Sequence, residues 1–253
     1  MTAEERSAGD GEKLEVLVSV DVPDPEQISP LLIELHRPLR VCLLGTYVVP
    51  EQTAPEQARE QFQAEASASL DEVASVFDEY GVEVETELVF VPDKLEAVER
   101  TAVEQNCHAV LLVRPVYSLE RILAAVRPGP MATRVLHVLG DLLRDTEYRA
   151  TLLYVAPEED DREEGEDGPE ARSEMELLKR ELVEQEGVDG DRIATRLAVD
   201  DEPESVVEEA ARDHDVIVIG ETEPSVRDMI FGSFSRRLAE DSDRPVLVVR
   251  REL

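Results

Sequence analysis

The chain has 253 residues and a mass of 28.3 kDa, room for two compact α/β units of roughly 100–150 residues each or for one larger domain. It carries 26 Lys+Arg against 59 Asp+Glu, a formal net charge of −33. So acidic a surface repels nucleic-acid phosphates and anionic membranes, because both are bound through Lys and Arg, so neither is expected as a partner.

From the N-terminus, residues 1–12 read as a flexible acidic tail. The start MTAEERSAGDGEK lacks the basic and apolar blocks of a signal peptide. No later apolar run approaches the roughly 18–20 residues of a membrane span. A soluble, cytoplasmic protein with no membrane insertion is the expectation. The basic residues point further. Only Lys13, Lys94 and Lys179 are lysines, and the rest are Arg. An acid-loaded, Lys-poor surface repels itself at low salt, and molar salt screens that repulsion because the Debye length falls to ~3 Å at 1 M. The composition therefore reads as that of a halophile.

Next in order come short β-branched runs separated by helical patterns. Glu15–Val20 is the first run. Leu43-Leu44-Gly45-Thr46-Tyr47-Val48-Val49-Pro50 is the second. Phe62, Ala66, Leu70, Val73, Phe77 and Tyr80 then step by three or four along one helical face. Val91-Pro92-Asp93 ends a third strand, and His108–Val113 is a fourth. Then the pattern repeats. Arg121–Val126 matches the first run, Ala150–Pro157 matches the second down to a shared Tyr-Val-x-Pro, Ala198-Val199-Asp200 matches the third ending, and Asp215–Gly220 matches the fourth. Helical faces lie between them, at Met131, Val135, Leu139 and Leu142 and again at Val206, Val207, Ala210 and Ala211. Runs of this kind with little polar alternation mark strands buried on both faces of a parallel sheet, joined by right-handed helical crossovers.

The second copy continues where the first stops. After Glu221 it has a Gly-Ser turn, a helix near Ser233–Glu240 and a fifth strand, Val246–Val249. The predicted fold is therefore α/β, with two Rossmann-like open parallel sheets covered by helices on both faces, the first lacking its last helix and strand. The predicted boundaries are 13–115 for the truncated domain and 116–253 for the complete one. EEDDREEGEDG at 158–168 reads as a solvated, disordered loop. Cys42 and Cys107 read as buried thiols in a reducing compartment. No spacing suggests a metal site.

The segment DVIVIG…FGSFSRRLAEDSDRPVLVVR, within Asp213 to Arg250, closely resembles the C-terminal block of the universal stress protein (UspA) superfamily. The tandem layout is similar to that of two-domain members, here of haloarchaeal type. The resemblance implies a five-stranded parallel sheet of the adenine-nucleotide α-hydrolase-like kind and a role in the stress response. It implies a nucleotide crevice at the ends of strands 1 and 4, with a motif of Gly, two residues, Gly, nine residues, Gly and then Ser or Thr. Glycines there let backbone approach phosphates, and the following helix start offers amides to the charge.

Residue by residue, the motif is incomplete. Gly220 matches the first glycine, but Glu223 stands at the second. Gly232-Ser233 matches the end, one residue early. The family's acidic residue after strand 1 is matched by Asp21 in the first half and replaced by Arg127 in the second. Each half thus carries part of an ATP site. Gly220, Arg127, Arg227, Gly232, Ser233 and Ser235 are the candidate residues for a small anion or altered nucleotide. Arg127 could instead pair with Glu221 or Glu223, and Ser233 and Ser235 could cap the last helix. No catalytic constellation is present. His36, His108, His137 and His214 are scattered, and Gly-x-Ser-x-Gly and Walker patterns are missing.

The expected function is that of a non-enzymatic stress or regulatory protein acting through contacts with an unknown protein partner, with no obligate cofactor. Two alternatives stay open, an ATP sensor using the second glycine loop and a soluble regulatory partner of a membrane transporter. The resemblance also implies a homodimer, formed here through strand Val246–Val249.

Overall fold

In a computed structural model of the chain, the apolar runs become strands of one continuous sheet. The structure describes residues 14–25, 28–36, 39–50, 52–157, 169–221 and 233–251. The expectations for residues 1–12 and for 158–168 lie outside them.

The first half runs β1 (Glu15–Asp21), α1 (Pro30–Leu35), β2 (Arg40–Val48), α2 (Pro55–Glu79), β3 (Glu83–Val91), α3 (Lys94–Glu104) and β4 (Ala109–Leu112). The second half runs β5 (Arg121–Ala125), α4 (Pro130–Leu143), β6 (Arg149–Ala156), α5 (Pro169–Glu184), a 3-10 turn at Gly190–Arg192, β7 (Ile193–Val199), α6 (Pro203–Ala211), β8 (Val216–Gly220), α7 (Ser233–Asp241) and β9 (Val246–Val249). The first half thus lacks a last helix and strand relative to the second. Proline opens α1, α2, α4 and α6, where its fixed φ suits a first helical turn and its missing amide costs nothing. Asp93 caps α3 by accepting the Glu96 amide at 3.0 Å.

The inner strands are buried on both faces, whereas the edge strands β3 and β7 are largely open. All four residues of β4 and of β9 are buried, as are five of the seven in β1. Alternation along β1 sends Val16, Val18 and Val20 into one core layer, shared with residues of α1, α2, α4 and α5. Leu17 points into the other, shared with residues of α3, α6 and α7. The long stripe on α2 behaves as its spacing requires, with Ala66, Leu70 and Phe77 buried and Phe62 and Val73 packed at the core margin. Both cysteines are free and buried in the second layer. The neighbouring Cys42 and burial push the Cys107 thiol up, away from its reactive thiolate form.

The strand order is β3-β2-β1-β4-β9-β8-β5-β6-β7. This corrects the expectation of two separate sheets. β9 lies parallel to β8 of its own half, with Val218 opposite Leu247. On its other side it lies antiparallel to β4 of the first half, with Val110 opposite Val248. The single fifth strand thus serves both halves. The same geometry corrects the expected pairing of two chains through Val246–Val249. Both hydrogen-bonding edges of β9 are occupied within one chain, so a second chain could pair there only by displacing β4 or β8.

Polar side chains lock this join. Arg250, directly after β9 and buried, donates from Nη1 to the carbonyls of Ala102 and Cys107 at 2.7 and 2.8 Å, at the end of α3. Asp215, ahead of β8, accepts from Ser118 Oγ and from the amides of Glu120 and Arg121, fixing the connection between the halves. Among the described residues, no helix is long and apolar enough to cross a membrane.

Candidate functional site

The order β9-β8-β5-β6-β7 places the topological switch point of the second half between β5 and β8, where the chain leaves β5 first to one side and later returns to the other. Ligands of open α/β sheets bind beyond the carboxyl ends of strands at such points. A crevice of about 910 Å³ lies there, within the range of small-molecule sites. Its walls come from the ends of β5, β6 and β8, the first turns of α4 and α6, and Phe234 of α7.

Two of the candidate residues from the sequence, Gly220 and Arg127, stand on this wall. Arg227 and Gly232 lie outside the described residues, as does Glu223. Ser233 is the first residue of α7. Ser235, expected either at a phosphate or as a helix cap, makes no capping bond among the described residues. Its hydroxyl is buried, has no hydrogen-bond partner among the described residues and is not on the crevice wall. The third position of α7 turns into the protein rather than toward the helix mouth.

Gly220 is not open to a ligand on its bare side. A Cβ built there would stand 2.6 Å from Met131 Cγ and 3.4 Å from a Val135 methyl. The space that a glycine leaves for an approaching phosphate is therefore filled by α4. Gly129 makes this approach possible. Its φ of +141° lies in a region that favours glycine, and it turns the chain from β5 into Pro130 and Met131.

The expected pairing of Arg127 with Glu221 does not form, and the alternative partner, Glu223, lies outside the described residues. Among the described residues, Arg127 makes no ion pair. Glu221 instead accepts the Arg251 amide at 2.6 Å, and its own amide bonds Val249 O at 2.7 Å. Glu204, at the start of α6, is held by Arg237 of α7. Arg134 and Arg251 also belong to the wall, together with Met131, Val207 and Phe234. Sequence reasoning did not place these five at the site. Met131 was visible there as part of a helical stripe, and Arg251 only as the residue beyond the last strand.

In the first half the matching residues are engaged with their own neighbours. Asp21, the matched acid after β1, pairs with Lys94 Nζ at 2.7 Å and accepts from Thr46 Oγ1 at 3.2 Å. Beyond β4, Arg114 Nε donates to Ser242 O at 3.2 Å, tying the chain there to the turn before β9. Among the described residues, Asp21 is not brought together with any candidate of the second half.

The histidines are each engaged in local bonding. His36 Nδ1 meets Leu32 O, and His108 Nδ1 accepts the Glu15 amide. His214 bridges Ala210 O and Thr151 Oγ1, and His137 on α4 meets Glu186. Among the described residues, no group of three or more His, Cys, Asp or Glu could hold a metal ion.

Residues 118–250, just over half the chain, match the model of the universal stress protein family. No curated protein matches the chain at a significant level. A universal stress protein from Archaeoglobus fulgidus has a similar structure, with a TM-score of 0.61 and 14% identity over 94% of this chain and 96% of that one. A putative universal stress protein from Pseudomonas aeruginosa UCBPP-PA14 gives 0.55 and 16%, over 94% of both chains. A protein of unknown function from Pseudomonas aeruginosa PAO1 gives 0.52 and 14%, over 94% and 93%. At these identities the likeness shows the fold.

Proposed function

The chain belongs to the universal stress protein family, and from that premise we propose that it is a non-catalytic stress or regulatory protein acting through protein contacts, with a crevice that has lost nucleotide binding. The observation that carries this reading is Met131 packed over the bare face of Gly220. Phosphate cradles work because glycine leaves backbone exposed to the ligand. Here that exposure is taken by a side chain. Arg127 stands where the second half would need an acid, and the matching acid of the first half, Asp21, is neutralised by Lys94. The structural bonding of all four histidines supports the non-catalytic part of the reading. The acidic, Lys-poor composition supports a salt-rich cytoplasm as its setting.

The decisive experiment is an ATP titration by calorimetry in high KCl, beside a scan of denatured protein for released nucleotide. No heat of binding and no adenine in the extract are expected. Micromolar ATP affinity, or a co-purified adenine nucleotide, would make the protein a nucleotide sensor and overturn the reading.

A further inference from the structure

We propose that the second-half crevice binds an organic acid with an apolar body. The inference rests on the loss of nucleotide binding argued above and names what the remaining space takes instead. The walls supply the body's environment. Met131, Val135, Leu153, Val207, Ile219 and Phe234 give aliphatic and aromatic surface from five different elements. Removing a ligand's apolar area from water against such a surface is favourable without any directed bond.

The charge comes from Arg127, Arg134 and Arg251. All three are wall residues, and among the described residues none makes an ion pair within 4.0 Å. Some arginines elsewhere are paired, Arg40 with Glu83, Arg144 with Asp141 and Arg236 with Glu99, whereas these three converge on one apolar opening. The two carboxylates on the same wall are occupied too, Glu204 by Arg237 and Glu221 by the Arg251 amide. Three arginines that make no ion pair among the described residues thus line one apolar opening of a strongly negative protein. A carboxylate head answers the guanidinium groups, which bind such anions in paired, charge-assisted hydrogen bonds. A nucleotide asks for something else, a bare backbone under its phosphates, and Met131 covers that.

The test uses the whole chain and the dye 8-anilinonaphthalene-1-sulfonate, an apolar ring system with one anionic group. The protein has no Trp, so dye emission is read over a quiet background. We expect saturable binding at one site, displacement by decanoate, and displacement by decanol only at concentrations about tenfold higher or more, since a charge-assisted contact contributes roughly 1.5–3 kcal/mol. The double variant Arg127→Gln/Arg134→Gln should raise the decanoate requirement about tenfold and leave that for decanol unchanged. Equal potency of decanoate and decanol overturns the proposal without any variant. So does a variant that behaves as wild type, or dye binding that never saturates. Displacement by AMP at or below the decanoate concentration overturns the loss of nucleotide binding instead, so the two failures are distinguishable.

Discussion

A methyl group at position 220 would stand 2.6 Å from Met131 Cγ, well inside any real contact. Gly220→Val should therefore cost about 1–3 kcal/mol by overpacking, read as a lower urea midpoint at unchanged slope. Met131→Ala introduced beside it should recover part of the loss. A pure phosphate-contact role for Gly220 predicts no such rescue. His36 gives a second test. Burial holds its imidazole below the ordinary value near 6.5, with the Leu32 carbonyl opposing weakly. The folded chain then binds fewer protons than the unfolded chain just below pH 6.5, so this residue's contribution is present above that pH and lost as pH falls toward the folded value. His36→Leu should flatten that part of the stability–pH curve relative to wild type. A curve parallel to wild type would refute the buried neutral histidine. The two positions differ in legibility. The glycine was visible in the sequence as a motif match, yet its reason was not. Met131 reaches it from 89 residues away, through a helix whose stripe showed only that one face is buried.

Elements were easier to read than their partners. The β-branched runs, the α2 stripe, the last helix and Val246–Val249 all formed where the patterns placed them, because burial on two faces and periodicity are local signals. Pairing is not local. VLVV shows that β9 is covered on both faces but says nothing of who lies beside it, and an open edge was inferred where two neighbours exist. Arg250 is the residue through which this arrangement can be probed. Its Nη1 satisfies two carbonyls at the end of α3 from a buried position. Arg250→Ala should leave the Cys107 carbonyl without that partner, the Ala102 carbonyl keeping the Cys107 amide at 2.9 Å, and cost about 1–3 kcal/mol. Hydrogen exchange should also report it, by faster exchange in β4 and α3 than in β6 and β7. Uniform loss of protection across the sheet would mean that Arg250 does not act at the join.

At the scale of the molecule, charge and topology oppose each other. One sheet of nine strands gathers both halves of a chain carrying −33. Salt acts on this in two directions. It weakens exposed pairs such as Arg237 with Glu204 and Glu208, which hold α7 to α6, but solvent already screens such pairs and each contributes little. It also screens repulsion among the 59 acids of the chain, which folding brings closer together. The second effect sums over many more groups and should win. Raising KCl from about 0.1 M, where charges interact across ~10 Å, to about 1 M, where they interact across ~3 Å, should raise the melting temperature by about 10 °C, equivalent to a few kcal/mol for a chain of this size. The gain should come mostly below the concentration at which the Debye length matches the spacing of neighbouring carboxylates, and then level off. Sodium chloride should act as KCl does if screening is the cause. A melting temperature that is flat or falls across this range would mean that the ion pairs outweigh the repulsion, and that the acidic composition does not adapt the fold to salt.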